Sequence, residues 1–186
     1  MESNSGNYPE INLCELDGNK IVKRTPLVSP YGKVEKNWLP LIIDDKINFY
    51  RCGYGDNYSI LRYADNKVSI TREFGCDLNL SRLKGSAGPV PLNGGYLAIF
   101  HESILQGGEM AIYYHRFVML NKDMEITGMS LPWILESAGV EFCRSILLKG
   151  NDLFLTVSIH DKDSWVYTVN LNDVINQIYG IEYFKF

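Results

Sequence analysis

The chain lacks several features that would place it in common functional classes. Its four cysteines and three histidines include no Cys-x-x-Cys pair and no histidine at ligand spacing, which argues against a zinc site. The net charge is −4 and the densest basic cluster, Lys20–Arg24, has three cations, so nucleic acid is not an expected partner. No apolar run is long enough to span a bilayer, and no apolar segment follows Met1. We therefore expect a cytoplasmic chain with reduced thiols, no metal, no cofactor and no membrane partner.

The residues that are abundant favour β-strands. Of the 186 residues, 46% are hydrophobic, and twelve tyrosines and eight phenylalanines are present. Turn signals such as Asp17-Gly18, Asp44-Asp45 and Asn93-Gly94 separate the apolar segments. Asn172–Tyr179 is the one short helical candidate, and Cys14 and Cys143 lie in apolar strand segments, where cysteine behaves as a small apolar residue. The pattern predicts a disordered leader over residues 1–10 and one nearly all-β domain over residues 11–186.

Three stretches repeat the same design of an apolar strand, a polar loop, a second strand and an Asn/Asp turn. They begin near Ile47, Tyr96 and Leu153, a period of about 50 residues that is typical of β-propeller blades. Ile11–Asp17 matches only the second strand and the turn of such a unit, and Ile181–Phe186 is expected to be a single further strand at the other end. We therefore predict an open, partial β-propeller of about three full blades with a half-blade at each end.

Two polar segments precede strands of this repeat. In the first, Lys36 and Asn37 can donate hydrogen bonds to hydroxyls or anions, and Trp38 offers a flat face to a sugar ring. The same segment also suits a turn in which Trp38 fills the core and Glu35 pairs with Lys36. In the second, Lys84–Gly95, small residues would let a ligand approach the backbone, although such a stretch is usually only a loop.

Two further segments combine histidine, arginine and carboxylates at strand ends. His101 ends one strand and Tyr114 and Arg116 lie near the start of the next, so blade geometry would bring them together. They suit either a polar ligand or a solvated hairpin end. Glu141 and Asp163 likewise suit either the binding of sugar hydroxyls or an acidic turn.

Taken in chain order, these segments resemble the five-bladed β-propellers related to β-mannoside phosphorylases and mannosidases, glycoside hydrolase family 130. The matching motifs are Glu35-Lys-Asn-Trp-x-Pro40, Gly94-Gly-Tyr-Leu-x-x-Phe-His-Glu102, Tyr113-Tyr-His-Arg-Phe117, Ser130-x-Pro132, Val140-Glu-Phe-Cys143 and Val157-Ser-x-x-x-x-Asp163. The resemblance covers about residues 11–175 and is nearest to a divergent branch found in proteins linked to glycan metabolism. It implies a five-bladed type of propeller that acts on carbohydrate.

The resemblance also implies roles for single residues. Lys36 and Asn37 would lie in the ligand channel, the Gly85–Pro91 loop would line it, and Asp163 would hold sugar hydroxyls, although Ile159-His160 replaces the family's Tyr-Gly before that carboxylate. The expected substrate-binding residues are Lys36, Asn37, Trp38, His101, Tyr114, Arg116, Glu141 and Asp163.

The family's general acid has no counterpart here. In the family it is an aspartate of an Asp-Pro-Arg-like signature that precedes the Glu-Lys-Asn-Trp motif, and the 34 residues before Glu35 carry no such signature. Glycosidic cleavage loses most of its rate without this acid. We therefore expect an N-terminally truncated and inactive propeller fragment whose ligand is carbohydrate, with phosphate as a further candidate. The alternatives are a non-catalytic glycan-binding or interaction module, or part of a glycosyltransferase-associated protein. In each case the open sheet edges would allow self-association or a partner chain.

Overall fold

The computed structural model describes residues 10–32, 35–53, 57–75, 78–106 and 110–184. These residues form an all-β fold, in which 65% of them lie in strands and 6% in helices, and their four antiparallel sheets are all open. In the part that the structure describes, no helix is long and apolar enough to cross a membrane. The leader expected over residues 1–10 lies outside the described residues except for Glu10, which is exposed.

The sheets follow one another along the chain. The first pairs β1 (Ile11–Asp17) with β2 (Lys20–Leu27). The second contains, in order, β3 (Leu39–Ile43), β4 (Lys46–Arg51), β5 (Asn57–Ala64) and β6 (Lys67–Gly75). The third contains β7 (Lys84–Leu92), β8 (Gly95–Gln106), β9 (Met110–Leu120) and β10 (Ile126–Ser130), and β14 (Ile178–Gly180) is added beyond β10. The fourth contains β11 (Glu141–Lys149), β12 (Asp152–Ile159) and β13 (Asp163–Asn170).

Tight turns set the strand register at several hairpins. Asp44-Asp45 joins β3 to β4 with φ values of 50° and 55°, and Asn93-Gly94 joins β7 to β8 with φ values of 48° and 79°. Positive φ at both central residues is the geometry whose twist matches that of the flanking strands, and Asn, Asp and Gly tolerate it best. The predicted turn residues therefore define these hairpins.

An apolar layer separates each pair of consecutive sheets. Phe49 of β4 packs in the layer that includes Leu27 of the first sheet, whereas the next residue, Tyr50, packs in the layer that includes Phe100 of the third sheet. On β8 the same alternation sends Phe100 towards the second sheet and Ile99 towards the fourth. Because successive strand residues point to opposite faces, the inner sheets bury both faces. The four sheets therefore form a stack in chain order.

The first strands of the last three sheets lie beside one another, with β7 in contact with both β3 and β11. The Ser86 hydroxyl donates to the Cys143 carbonyl at 2.6 Å, and a Cβ on Gly88 would lie 3.2 Å from Ile146. The contacts advance in the same direction along both strands, so β7 and β11 lie side by side and run parallel to each other.

The end of the described chain differs from the sequence prediction. The helix expected at Asn172–Tyr179 is present as α1 (Leu171–Asn176), but it ends earlier because Ile178–Gly180 forms β14. The strand expected at Ile181–Phe186 is wrong: Ile181–Phe184 is a 3-10 helix whose Ile181 packs on the layer between the second and third sheets, and residues 185–186 lie outside the described residues. Cys14 is exposed rather than buried in an apolar strand, whereas Cys143 is buried.

Candidate functional site

A groove of about 490 Å³ runs along the first strands of the second, third and fourth sheets. One wall comes from the segment that enters β3, the floor from β7 and the other wall from β11. The lining residues are Asn37, Trp38, Leu39, Pro40, Gly85, Ser86, Ala87, Gly88, Pro89, Val90, Phe142, Arg144, Ser145 and Ile146. Of the eight residues expected to bind substrate, this lining includes Asn37 and Trp38.

Close packing of β7 against the β3 entry segment depends on Gly85. A Cβ at this position would lie 2.5 Å from the Asn37 carbonyl oxygen and 2.7 Å from Leu39 Cγ, which is closer than real Cβ contacts. Asn37 itself has a φ of 64°, in the left-handed region that asparagine tolerates better than most residues. Of the Gly85–Pro91 loop expected to line a channel, residues 85–90 form the floor of the groove, and they belong to strand β7 rather than to a loop.

Trp38 and Glu35 anchor the β3 entry segment in the core. Trp38 is 7% exposed, packs against Phe49 with ring centroids 5.5 Å apart, and donates its indole N–H to Glu35 at 3.1 Å. Glu35 is also buried, and it accepts from Arg51 Nε at 2.9 Å and from the Ser29 hydroxyl at 3.0 Å. Glu35 thus pairs with Arg51, and the Trp38 ring fills the core.

His101 lies behind the groove, under Phe142. Its ring stacks on Tyr113 at 5.5 Å and meets the edge of Phe142 at 4.9 Å. Burial, together with the charges of His115, Lys84 and Lys36, lowers the pKa of His101 to about 3, although a backbone hydrogen bond with Gly85 acts in the opposite direction. These charges show that Lys36, which is exposed, and Lys84 lie near His101. His101 is therefore neutral at pH 7 and unable to act as a cation.

A second buried histidine lies next to His101 on the neighbouring strand. His115 is its register partner, stacks on Trp133 at 4.9 Å, and accepts the Cys143 N–H through Nε2 at 3.2 Å. Burial lowers the pKa of His115 to about 4, although Glu141 acts in the opposite direction. In the described part of the chain, the Nδ1 atoms of both histidines are buried without a hydrogen-bond partner.

Arg116 and Tyr114 lie on the opposite face of the β8–β9 pair from His101. Arg116 is the register partner of Phe100, whose ring faces the second sheet, and Tyr114 is the partner of Glu102. The Arg116 guanidinium donates to Glu102 at 3.0 and 3.2 Å. Strand alternation therefore separates these two expected residues from the face that carries His101.

The two expected carboxylates, Glu141 and Asp163, lie at the same end of the fourth sheet in different environments. Glu141 is fully buried and accepts 2.8 Å hydrogen bonds from the backbone N–H groups of Leu135, Glu136 and Ser137. Asp163 is exposed on β13, and its register partner is Ile159 of β12. On the other side of β12, Ile159 is the register partner of Glu141 on β11. Two strand spacings, about 10 Å, separate their backbones. Glu141 stabilises the 135–137 loop, and Asp163 faces solvent.

Arg144 and Phe142 line the groove although neither was expected to bind substrate. Arg144 is exposed, lies 3.9 Å from Asp161, and has its guanidinium carbon 5.9 Å from the centre of the Phe142 ring. A register shift between Cys143 and Ser145 interrupts the alternation of β11 at this point. The Val140–Cys143 motif identified this part of the chain as a candidate site. It did not predict Arg144, because a local sequence pattern does not show where a bulge will form.

The groove offers hydrogen-bond donors and an aromatic ring but no acid. Its lining, as far as the structure describes it, includes Asn37, Arg144 and Phe142, whose side chains carry an amide, a guanidinium and an aromatic ring, and it includes no aspartate or glutamate. No group of three or more His, Cys, Asp or Glu side chains that could hold a metal occurs in the described ranges. Such a surface can bind hydroxyls or an anion, whereas acid catalysis needs a further group. No family model matches the chain, and no curated protein and no solved structure matches it either.

Proposed function

We propose that this chain binds carbohydrate in the groove along β3, β7 and β11 and does not itself cleave glycosidic bonds. The observation that carries the proposal is the convergence of three sheets on one groove, through Asn37, the Gly85–Val90 segment and the Phe142–Arg144 segment. Each of these comes from or adjoins a separate part of the sequence that resembles the mannoside phosphorylase group. Amide and guanidinium donors beside an aromatic ring are a common set for holding a sugar.

The placement of the carboxylates favours binding over cleavage. Hydrolysis of glycosides normally uses two carboxyl groups, one on each side of the scissile bond. Glu35 is held by Arg51, Glu141 is held by three backbone N–H groups, and neither lines the groove. A sugar-binding role needs none of these groups in the groove, because donors and a ring face suffice.

The proposal includes a finer description of the fold, an open propeller-like arrangement. It is supported by the stacking of four antiparallel sheets in chain order and by the side-by-side packing of the first strands of the last three sheets. In a propeller the first strands of the blades surround the central channel, where ligands usually bind. The groove occupies the corresponding position between β3, β7 and β11.

The test is a titration of the isotopically labelled chain, followed by NMR, with β-1,4-mannobiose and a panel of glucose, galactose and N-acetylglucosamine disaccharides. We expect chemical-shift changes confined to groove residues for at least one sugar. Asn37→Ala and Arg144→Ala should each weaken that binding by roughly tenfold, since each removes a hydrogen bond worth about 1–1.5 kcal/mol. Arg72→Ala is the matched control, because Arg72 is exposed, does not line the groove, and contacts Asp123, Glu125 and the Phe74 ring instead.

Three results would contradict the proposal. If none of the sugars shifts a groove resonance, or if Arg72→Ala weakens binding as much as Arg144→Ala, the groove is not a sugar site. If the purified chain releases mannose or mannose 1-phosphate from manno-oligosaccharides, with or without inorganic phosphate, the chain is catalytic and the assignment of its carboxylates must change.

A further inference from the structure

The fourth sheet ends on a strand with an open outer edge. β13 is the outermost strand in the order β11-β12-β13, and within the described ranges no strand pairs with its other side. It pairs with β12 along all eight residues without a register shift, and Trp165 and Val166 are 56% and 65% exposed. A regular edge of this kind presents a row of free backbone N–H and C=O groups, to which another strand can pair.

The outer edges of the two preceding sheets carry features that hinder strand addition. On β6, Thr71 lies in a register shift and the exposed edge carries Lys67 and Arg72. β14 has only three residues and is followed directly by a 3-10 helix. Bulges, lysines and short strands are the usual protections of sheet edges. β13 has none of these: it contains no proline and no lysine, and its one charged residue, Asp163, is at its first position.

The β13 sequence is complementary to itself in an antiparallel pairing. If a two-fold axis passes through the strand at Val166, Trp165 faces Tyr167 of a second copy and Ser164 faces Thr168. Aromatic pairs and hydroxyl pairs at directly opposed positions stabilise antiparallel sheets. Asp163 falls opposite Val169 in this register, so no like charges meet.

We propose that β13 is a self-association edge, where two copies of this chain pair β13 antiparallel to β13 and join their fourth sheets into one six-stranded sheet. Because each copy uses its own single edge, the assembly closes at two copies. One strand pair and its adjoining side chains bury less than the roughly 1,200 Å² of the smallest standard interfaces, so we expect dissociation in roughly the micromolar range.

Sedimentation velocity of the full chain over a concentration series, up to about 500 µM, tests this proposal. The wild-type mass should rise from that of the 21.2 kDa monomer towards twice that value. Val166→Lys, which places two lysines near the two-fold axis, should weaken dimerisation at least tenfold. Leu147→Lys is the matched control. Leu147 is 59% exposed on the same face of the same sheet, but it lies on β11, at the opposite side of the sheet from the β13 edge. Circular dichroism verifies that each variant is folded.

The outcomes separate edge pairing from other modes of association. A wild-type dimer that is lost in Val166→Lys and kept in Leu147→Lys supports the proposal. A wild-type chain that stays monomeric throughout the series overturns it, as does a Val166→Lys variant that dimerises like the wild type. Loss of the dimer in both variants also overturns it, because that result would indicate packing through the sheet face.

Discussion

Replacing Glu141 by glutamine should destabilise the fold while leaving sugar binding in the groove intact. The Glu141 carboxylate is fully buried, with one oxygen accepting from Glu136 and Ser137 and the other from Leu135, each at 2.8 Å. In Glu141→Gln, the amide oxygen can still accept two of these N–H groups. The amide NH₂ would then face the third backbone N–H group. Both groups are hydrogen-bond donors, so that this N–H loses its acceptor.

The expected size of this effect follows from the three hydrogen bonds. A partly buried donor without a partner costs about 1–3 kcal/mol, and the two remaining bonds lose the strengthening that the charge supplied. We therefore expect the free energy of unfolding to fall by about 3 kcal/mol. For a chain of this length, that lowers Tm by roughly 6–12 °C.

Urea unfolding followed by circular dichroism measures this change, with Asp163→Asn as the matched control. Asp163 is the other carboxylate of the fourth sheet expected to bind sugar, but it is exposed, so its substitution should change stability by less than about 0.5 kcal/mol. The reasoning is refuted if Glu141→Gln is as stable as the wild type, or if it abolishes sugar binding without loss of stability. The first result would mean that the 135–137 loop does not depend on the carboxylate, and the second that the carboxylate serves a ligand instead.

Two more predictions concern close packing and pH. Gly85→Ala should lower stability by about 1–3 kcal/mol in thermal unfolding, because its Cβ would lie 2.5 Å from the Asn37 carbonyl oxygen. Gly75→Ala is the control and should leave stability unchanged, because its Cβ would meet no atom within 4 Å. Equal effects of the two substitutions would contradict the packing argument. The folded-state pKa values of His101 and His115 are about 3 and about 4, below the ordinary value of 6.5. The unfolded chain therefore binds more protons than the folded chain between these pH values. The free energy of unfolding should fall as the pH drops from 6.5 towards 4 and 3. At pH 5 the loss should reach about 4 kcal/mol relative to pH 7. In urea unfolding, His101→Phe should show about half of that pH dependence, and an unchanged dependence would show that His101 is not the group responsible.

Local sequence was enough to predict an all-β fold and several of its turns, although the Gly85–Pro91 segment, expected as a loop, lies in strand β7. Asp44-Asp45 and Asn93-Gly94 are strong hairpin signals, and both form hairpins. The prediction failed at Ile181–Phe184, whose aromatic and aliphatic residues match a strand as well as they match a 3-10 helix. Which of these forms depends on β14 pairing with β10, a contact between distant parts of the chain that no local pattern encodes.

The candidate site was predicted less well because side-chain direction depends on register. The Glu35–Trp38 and Gly85–Pro91 segments were identified from their residue types, and both contribute to the groove. Arg116 was expected beside His101, but the β8–β9 register places these two side chains on opposite faces. Arg144 was missed because a bulge in β11 changes the alternation at that residue.

The pairing of β14 with β10 has a consequence for how the fourth sheet can open. Ser130 and Ile178 are register partners, so the chain returns from the fourth sheet to a position beside the last residue of β10. Residues 131–177, which include the whole fourth sheet, therefore form a closed loop whose two ends are fastened together. An outermost sheet attached by one end could unravel progressively from its free terminus, but this one cannot do so while β14 stays paired. Three residues outside the fourth sheet thus hold its ends together, and their detachment would let the loop ends separate and regain the entropy that closure removes.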